Sequence, residues 1–130
     1  MRETVRPCAR LEGDLSLPGD KSISHRAALF NAIAHGQATV THFSTGADCL
    51  STVACLRALG ASIESTSAED GSLRLVVHGR GADALREAES VLDAGNSGTS
   101  TRLLSGLLAS RPFLSIITGD SSLRSRPMGR

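Results

Sequence analysis

Apolar residues recur along this chain at two different spacings, and each spacing predicts a different kind of secondary structure. Helical spacing marks three segments, which are expected to end near Gly36, Gly60 and Pro112. Alternating or β-branched runs predict strands at residues 38–43, 61–64, 73–77 and 113–118, with a shorter extended segment at 91–93. Only a polar stretch separates the second strand from the third, so we expect these two to pair.

Capping residues predict where the helices begin. Ser22 or Ser24 is expected to cap the first helix, and Thr45 or Asp48 the second. Pro127 stands where a proline commonly opens a helix, and a helix that begins so near residue 130 suggests a truncated chain. The second helix is expected to bury a stripe of apolar side chains, which are Leu50, Val53, Ala54, Leu56 and Leu59.

Repetition within the chain indicates how these elements are ordered. Residues 4–8 and 14–17 alternate on either side of a Glu-Gly pair and predict a small amino-terminal hairpin. Residues 19–26 and 95–102 share Gly, Ser and Arg at matching steps, and each copy precedes an apolar helix. The pattern therefore predicts an α/β (α+β) chain of about one and a half β-α-β-α-β-β units.

Composition restricts the classes of function. The 130 residues are 40% hydrophobic and 21% charged, which is typical of a globular domain. Fourteen basic and thirteen acidic residues leave a net charge of +1, so the chain has no broad electrostatic surface for nucleic acid or for a membrane. Aromatic residues make up only 2%, which disfavours base stacking and favours an aliphatic core. Because the net charge is close to zero, any bound anion must be held by a few polar or basic residues next to it.

Cysteine and histidine spacing indicates neither a disulfide framework nor a metal site. Cys8 stands apart, while Cys49 and Cys55 are expected to pack inside the second helix and not to act as nucleophiles. The histidines are expected at the surface or at helix caps; they are His25, His35, His42 and His78. No apolar run is long enough to span a bilayer and no signal core follows the first residues, so we expect a cytoplasmic protein.

The first candidate site is the segment 19–26, at the expected start of the first helix. Lys21 provides a positive charge, Ser22 a hydroxyl donor and Arg26 a bidentate guanidinium, and free N–H groups at a helix start favour an anion. The order of residues differs from the GxxxxGK[ST] pattern of a nucleotide-binding loop, so ATP and GTP are not indicated. On these residues alone, a simple helix cap with solvated charges is a slightly favoured alternative.

The second candidate site is the segment 95–99, before the third helix. Gly98 has no Cβ and lets the backbone approach a small ligand, while Asn96 adds an amide and Thr99 a hydroxyl. In the alternative interpretation, Asn96 or Ser97 caps the helix and the glycine only permits a tight turn. No pair of residues suited to catalytic acid and base chemistry stands out in the chain.

Four blocks of the sequence together resemble the amino-terminal part of the EPSP synthases (5-enolpyruvylshikimate-3-phosphate synthases). They are LPGDKSISHRA at residues 17–27, LRALGA at 56–61, DAGNSGT at 93–99 and TGDSSLRSRPM at 118–128. The blocks follow in the family's order, and the resemblance extends over about residues 7–130. It implies the enolpyruvyl transferase fold, in which each of two domains repeats the β-α-β-α-β-β unit. A related transferase acting on UDP-N-acetylglucosamine shares this fold, but its motifs are absent here.

The resemblance also implies an activity. The enolpyruvyl group of phosphoenolpyruvate is transferred to the 5-hydroxyl of shikimate 3-phosphate, with release of phosphate and without a cofactor, on the pathway to chorismate and the aromatic amino acids. Lys21 is then expected to touch both substrates, Ser22 and Arg26 to hold shikimate 3-phosphate, and Gly98 and Arg126 to hold phosphoenolpyruvate, with Asn96 and Thr99 lining that loop. Glycine at position 98 also implies sensitivity to glyphosate, a phosphonate resembling phosphoenolpyruvate.

The sequence departs from the family pattern in three places and in its length. Thr101 stands where the family usually has methionine, Leu103 where one branch has proline, and His25 where that branch has asparagine. The family chain is much longer, and its later segments supply the groups credited with proton transfer. We therefore expect no catalytic residue here and no activity from this chain alone.

The same resemblance implies a division of the chain and a set of partners. Residues 1–18 are expected to cross to the other domain of the full enzyme, and residues 19–130 to form a partial domain that is truncated at its carboxyl end. The expected partners are the two substrates and the remainder of the enzyme chain, with neither nucleic acid nor membrane. Two alternatives remain open: a non-catalytic module that binds phosphate ligands, or one half of a split enzyme that needs a partner.

Overall fold

The computed structural model describes residues 3–4, 6–7, 9–10, 12–15, 17–69 and 71–129. Helices and strands alternate through most of these residues, and a single turn of 3₁₀ helix lies at Ala82–Ala84. The elements in order are α1 (Lys21–Ile33), β1 (His35–Phe43), α2 (Ala47–Ala58), β2 (Ser62–Ser67), β3 (Leu73–Arg80), β4 (Leu92–Asp93), α3 (Gly98–Leu108), β5 (Ile117–Thr118) and α4 (Ser121–Arg124). The predicted mixed α/β class is confirmed. No helix among these residues is long and apolar enough to cross a membrane.

Three strands form an antiparallel sheet in the order β1-β3-β2. The expected pairing of the second and third strands is confirmed, because Ser62 lies opposite His78 and Ser67 opposite Leu73. The central strand β3 alternates between buried and less buried positions, which places one of its faces against the helices. The short strands β4 and β5 form a separate parallel pair.

The core is mostly aliphatic, as predicted, although it also contains the buried ring of Phe43, and it joins all three long helices to β3. One face of α2 differs from the expected stripe, since Leu50 is 44% exposed and Ala54 is also exposed. Cys49, Thr52 and Cys55 point into the protein instead, so the expected packing of these two cysteines is confirmed. Hydropathy did not mark Thr52 as a core residue, because its hydroxyl becomes compatible with burial only through partners on other helices.

The start of α1 is capped by Asp20, and not by Ser22 or Ser24. The Asp20 carboxylate accepts a hydrogen bond of 2.7 Å from the backbone N–H of Ile23. Ser24 is buried, and its hydroxyl accepts a bond of 3.0 Å from the backbone N–H of Ser44. The Ser24 side chain therefore ties α1 to the segment that follows β1.

The starts of α2 and α3 are built differently from each other. Gly46 precedes α2 and no side chain caps it, so the expectation that Thr45 or Asp48 acts as the cap was wrong. Asp48 lies in the first turn of α2, where its charge suits the positive end of the helix dipole. Ser97 caps α3 by accepting a bond of 3.0 Å from the backbone N–H of Ser100.

The expected amino-terminal hairpin is not found in the part of the chain that the structure describes. None of the described residues before position 18 lies in a strand. Leu15 and Leu17 are 82% and 70% exposed, because no neighbouring strand or helix covers them. The rest of the expected hairpin lies outside the described residues, at Val5, Cys8, Leu11 and Ser16.

The last segment also differs from expectation. The strand expected at 113–118 is shortened to the two residues of β5, which pair only with the two residues of β4. Asp120 then caps the short helix α4, which is not among the helices predicted from the sequence. Up to residue 129, Pro127 opens no helix.

Candidate functional site

Two backbone segments approach each other closely just before α1 begins. A Cβ atom on Gly19 would lie 1.7 Å from the carbonyl oxygen of His42, which no real structure tolerates. His42 belongs to the irregular end of β1, where the pairing register shifts between Val40 and Phe43, and it has a φ of 51°. Glycine is therefore required at position 19, two residues before Lys21.

Lys21 forms an ion pair with Asp48 at the start of α2. The ammonium side chain remains 56% exposed, while the carboxylate side chain is only 23% exposed. Sequence analysis considered Asp48 only as a helix cap, because a partner 27 positions away leaves no local signal. The structure adds Asp48 to the candidate site.

The first turns of the three long helices meet at this ion pair. The backbone carbonyl of Asp48 accepts a hydrogen bond of 3.3 Å from the hydroxyl of Ser100, which lies in the first turn of α3. Lys21, at the start of α1, reaches the carboxylate of the same residue. Helix amino termini carry partial positive charge and uncommitted N–H donors. Their convergence favours the binding of anions at this place.

A chain of four buried polar side chains runs beneath these helix starts. The His25 Nδ1 atom lies 2.7 Å from the Thr52 hydroxyl oxygen, which lies 2.6 Å from that of Ser100. The Ser100 hydroxyl oxygen in turn lies 2.6 Å from the Ser97 hydroxyl oxygen. All four side chains are fully buried. The expectation that His25 lies at the surface or at a cap was therefore wrong.

The surroundings of His25 favour the neutral form of its imidazole. Burial lowers its pKa from the ordinary value of 6.5, and the positive charge of Lys21 lowers it further, against a smaller opposing effect of Asp48. The Nε2 atom is buried and has no hydrogen-bond partner among the described residues. A proton added there would leave a buried charge without an acceptor.

A second cluster joins the loop before α3 to the segment around α4. Two nitrogens of the Arg126 guanidinium donate to Asn96, one to the side-chain oxygen at 2.6 Å and one to the backbone carbonyl at 3.3 Å. The Asn96 amide nitrogen donates a bond of 2.6 Å to the carboxylate of Asp120. The backbone N–H of Asp120 donates to the Gly95 carbonyl at 2.9 Å. These contacts hold the guanidinium directly beside the loop.

Asp120 connects the loop before α3 to the helix α4. Its carboxylate accepts from Asn96 and also from the backbone N–H of Leu123, at 2.7 Å. These two hydrogen bonds, together with the nearby charge of Arg126, lower the pKa of Asp120 below its ordinary value. Asp120 is exposed, so these hydrogen bonds orient its carboxylate but contribute little to the stability of the fold.

Gly98 faces the Arg126 guanidinium. A Cβ atom at this position would lie 3.5 Å from Arg126 Nη1 and 4.0 Å from Leu123 Cδ1. Gly98 is not among the glycines with positive φ, so amino acids other than glycine can adopt its backbone conformation. Thr99 is exposed, and its hydroxyl makes no hydrogen bond to a described residue. Of the four residues predicted for this loop and its arginine, the structure brings Asn96, Gly98 and Arg126 into mutual proximity.

Ser22 and Arg26 lie together on the exposed face of α1, four positions apart. Neither side chain makes a hydrogen bond or an ion pair with a residue that the structure describes. Arg26 lines the mouth of an apolar groove of about 210 Å³ between α1 and α3. The other residues of the groove are Leu29, Phe30, Ile33, Leu103 and Leu107. The Arg26 guanidinium is thus available to a ligand, but it does not contact the Lys21 ion pair.

Comparison with known proteins gives consistent matches to one family. The family model of EPSP synthase (3-phosphoshikimate 1-carboxyvinyltransferase) matches residues 5–130. The 3-phosphoshikimate 1-carboxyvinyltransferase of Chloroflexus aurantiacus is 61% identical over 127 residues, which cover 98% of this chain and 28% of the relative. That of Bacillus subtilis is 53% identical over 120 residues, which cover 92% of this chain and 27% of the relative.

A solved structure agrees with this assignment. The EPSP synthase from Acinetobacter baumannii superposes with a TM-score of 0.80 at 47% identity, and the match covers 89% of this chain and 26% of that chain. The chain thus spans little more than a quarter of the length of the relatives it matches. With the family model matching nearly every residue, the chain belongs to the EPSP synthase family.

Proposed function

We propose that this chain is the amino-terminal part of a longer cytoplasmic enzyme that transfers the enolpyruvyl group of phosphoenolpyruvate to the 5-hydroxyl of shikimate 3-phosphate and releases phosphate. The convergence of three helix starts on Lys21, with the Arg126 guanidinium beside the glycine loop, is the observation that carries this proposal. Both substrates bear phosphate and carboxylate groups, which such an arrangement attracts. The buried free thiols of Cys49 and Cys55 suit a reducing compartment.

Shikimate 3-phosphate is assigned to the exposed face of α1. Ser22 and Arg26 share this face, and neither has a partner among the described residues, so both are available to a phosphate. Lys21 lies at the same helix start, but its ammonium is paired with Asp48. Binding of an anion at Lys21 therefore competes with this ion pair or adds to it.

Phosphoenolpyruvate is assigned to the loop that precedes α3. The first N–H groups of a helix have no partner within the helix, and those of Gly98 and Thr99 point toward this ligand in the proposal. Arg126 supplies a guanidinium that is already oriented by Asn96. The fixed donors stabilise negative charge as the tetrahedral addition intermediate forms between the two substrates.

Activity is assigned to the longer enzyme and not to this segment alone. The matched relatives are more than three times as long, and the sequence contains no residue that we assign to proton transfer. We extend the proposal to the domain division, with residues 1–18 reaching the other domain and residues 19–130 forming part of the first. The exposure of Leu15 and Leu17 supports this division, because both side chains lack a covering element here.

Substrate binding by variants of the full-length enzyme tests the assignment. Loss of a hydrogen bond to a charged group costs about 1.5–3 kcal/mol, so Arg26→Ala should raise the dissociation constant of shikimate 3-phosphate by about 10- to 150-fold. Lys21→Ala should impair the use of both substrates. Arg74→Ala removes another exposed arginine, on β3, and should change neither constant. Unchanged constants in both α1 variants would contradict the assignment and favour solvated surface charges.

The isolated chain provides a second test. Incubated with saturating phosphoenolpyruvate and shikimate 3-phosphate, it should release no phosphate. Steady release that requires both substrates would contradict the proposed dependence on the rest of the enzyme. Calorimetric titration of the same chain with shikimate 3-phosphate distinguishes a binding module, which gives heat on its own, from a segment that needs its partner to form the site.

A further inference from the structure

The buried chain of His25, Thr52, Ser100 and Ser97 is unusual in an otherwise aliphatic core. Buried polar groups are costly unless they are hydrogen-bonded, so apolar residues at these positions would pack more simply. The chain crosses three helices and links residues far apart in sequence, with 27 positions between its first two members and 48 between the next two. These hydrogen-bonded contacts therefore fix the positions of α1, α2 and α3 relative to one another.

The two ends of this series of buried side chains, His25 and Ser97, lie beside the two proposed substrate sites. His25 directly precedes Arg26 and lies one helical turn after Lys21, on the face of α1 that packs toward α2. Ser97 directly precedes Gly98, and it caps the helix whose first N–H groups are assigned to phosphoenolpyruvate. None of the four fully buried side chains is accessible to a ligand itself. Any effect on the substrates must pass through the residues they hold.

The hydroxyls in the middle of this network each lie near more than one partner. The Ser100 hydroxyl oxygen lies 2.6 Å from that of Ser97 and 3.3 Å from the backbone carbonyl oxygen of Asp48, and the Thr52 hydroxyl oxygen lies 3.4 Å from the same carbonyl. Each hydroxyl donates only one hydrogen, so either member of the Thr52 and Ser100 pair can be the donor. Removal of the Thr52 hydroxyl takes a hydrogen-bond partner from both His25 and Ser100.

We propose that His25, Thr52 and Ser100 are positioning residues, which hold the capped start of α3 in register with the Lys21 end of α1. The inference rests on the proposed function, since it concerns the geometry of that site. The imidazole on α1 positions the Thr52 hydroxyl, and this hydroxyl positions the Ser100 side chain. Ser100 in turn positions the capping residue Ser97, next to Gly98. Small displacements of binding groups reduce catalysis strongly, so the chain determines how well phosphoenolpyruvate is oriented.

Thr52→Val in the full-length enzyme tests this proposal, because it removes the hydroxyl and keeps nearly the same volume. We expect kcat/KM for phosphoenolpyruvate to fall by about tenfold or more, and the dissociation constant of shikimate 3-phosphate to change by less than about threefold. Thr52→Ser retains the hydroxyl and should recover most of the lost kcat/KM. Val53→Ala serves as the control, since it weakens the adjacent apolar core on the same helix but removes none of these hydrogen bonds.

Several outcomes would overturn the positioning role. One is a Thr52→Val enzyme that is folded and has kcat/KM for phosphoenolpyruvate within twofold of the unsubstituted enzyme. Another is a Val53→Ala enzyme that loses as much kcat/KM as Thr52→Val, since the effect would then follow from stability alone. Absence of enolpyruvyl transfer by the unsubstituted enzyme would instead contradict the proposed function.

Discussion

A single methyl group added at Gly98 probes the space between the loop and the Arg126 guanidinium. The Cβ atom of Gly98→Ala would lie 3.5 Å from Arg126 Nη1 and 4.0 Å from Leu123 Cδ1, which are ordinary van der Waals distances. Gly98 does not have a positive φ, and it opens a helix in which alanine is favourable. The substitution should therefore change the free energy of unfolding by less than about 1 kcal/mol, in the stabilising direction.

The same methyl group should interfere with a bound anion. A ligand oxygen that accepts from a guanidinium lies about 2.8 Å from the nitrogen, so it competes for space with a methyl group on the loop side of Nη1. Loss of this one charge-assisted hydrogen bond corresponds to about 1.5–3 kcal/mol, or a 10- to 150-fold change in binding. Glyphosate is longer than phosphoenolpyruvate and should meet the methyl group first, so its inhibition should weaken more than the KM for phosphoenolpyruvate rises.

The assay measures phosphate release by the full-length enzyme at varied phosphoenolpyruvate and glyphosate, together with thermal unfolding. Gly106→Ala is a matched control on the same helix, where an added Cβ meets nothing within 4 Å, and it should alter neither ligand constant. Equal losses for both ligands with a lowered unfolding temperature would mean that the loop had changed conformation. No change in either constant would place Gly98 away from the ligand. Either result would refute the reasoning.

Three further predictions concern stability and reactivity. Gly19→Ala should lower the unfolding temperature by several degrees or prevent folding, because its Cβ would meet the His42 carbonyl at 1.7 Å; an unchanged temperature would contradict this close approach. The pKa of His25 is lowered in the folded state, so the unfolded state takes up the proton first and stability should decline as the pH falls below about 6.5. Thermal unfolding across this range measures the decline, and His25→Asn should reduce its slope; an unaltered slope would exclude His25 as its source. Burial raises the pKa of the Cys55 thiol to about 11, so alkylation at pH 8 followed by peptide mapping should find this residue unmodified until the protein unfolds. Equal labelling in native and denatured samples would contradict its burial.

Local spacing in the sequence was sufficient to predict the main elements. Helix α1, helix α2 and the pairing of β2 with β3 follow from apolar periodicity and from the polar residues between them. Individual boundaries were less well predicted. Asp20, Ser22 and Ser24 are all residues suited to capping, and the structure has Asp20 in that role while Ser24 bonds to the segment after β1. Such contacts between distant segments have no counterpart in a local pattern.

The candidate site was only partly predictable. The loop residues Asn96 and Gly98 were candidates from their own chemistry, Arg126 came from the family resemblance, and the structure places the three side by side. Asp48 was missed as the partner of Lys21, since their separation in sequence hides the ion pair. The side chains of Thr99 and Arg26 make no hydrogen bond to a described residue, so the fold by itself does not mark them as site residues.

The sequence by itself determined the mixed α/β class, the order of most elements and the residue types that make the helix starts attractive to anions, because each of these depends on neighbours within a few positions. Only the tertiary structure decided which way α2 is rotated, and hence that Thr52 is buried while Leu50 is exposed. It also brought His25 and Ser100 to either side of Thr52. The physical reason is that burial of a polar side chain depends on hydrogen-bond partners, and these partners come from separate helices that meet only in the folded protein.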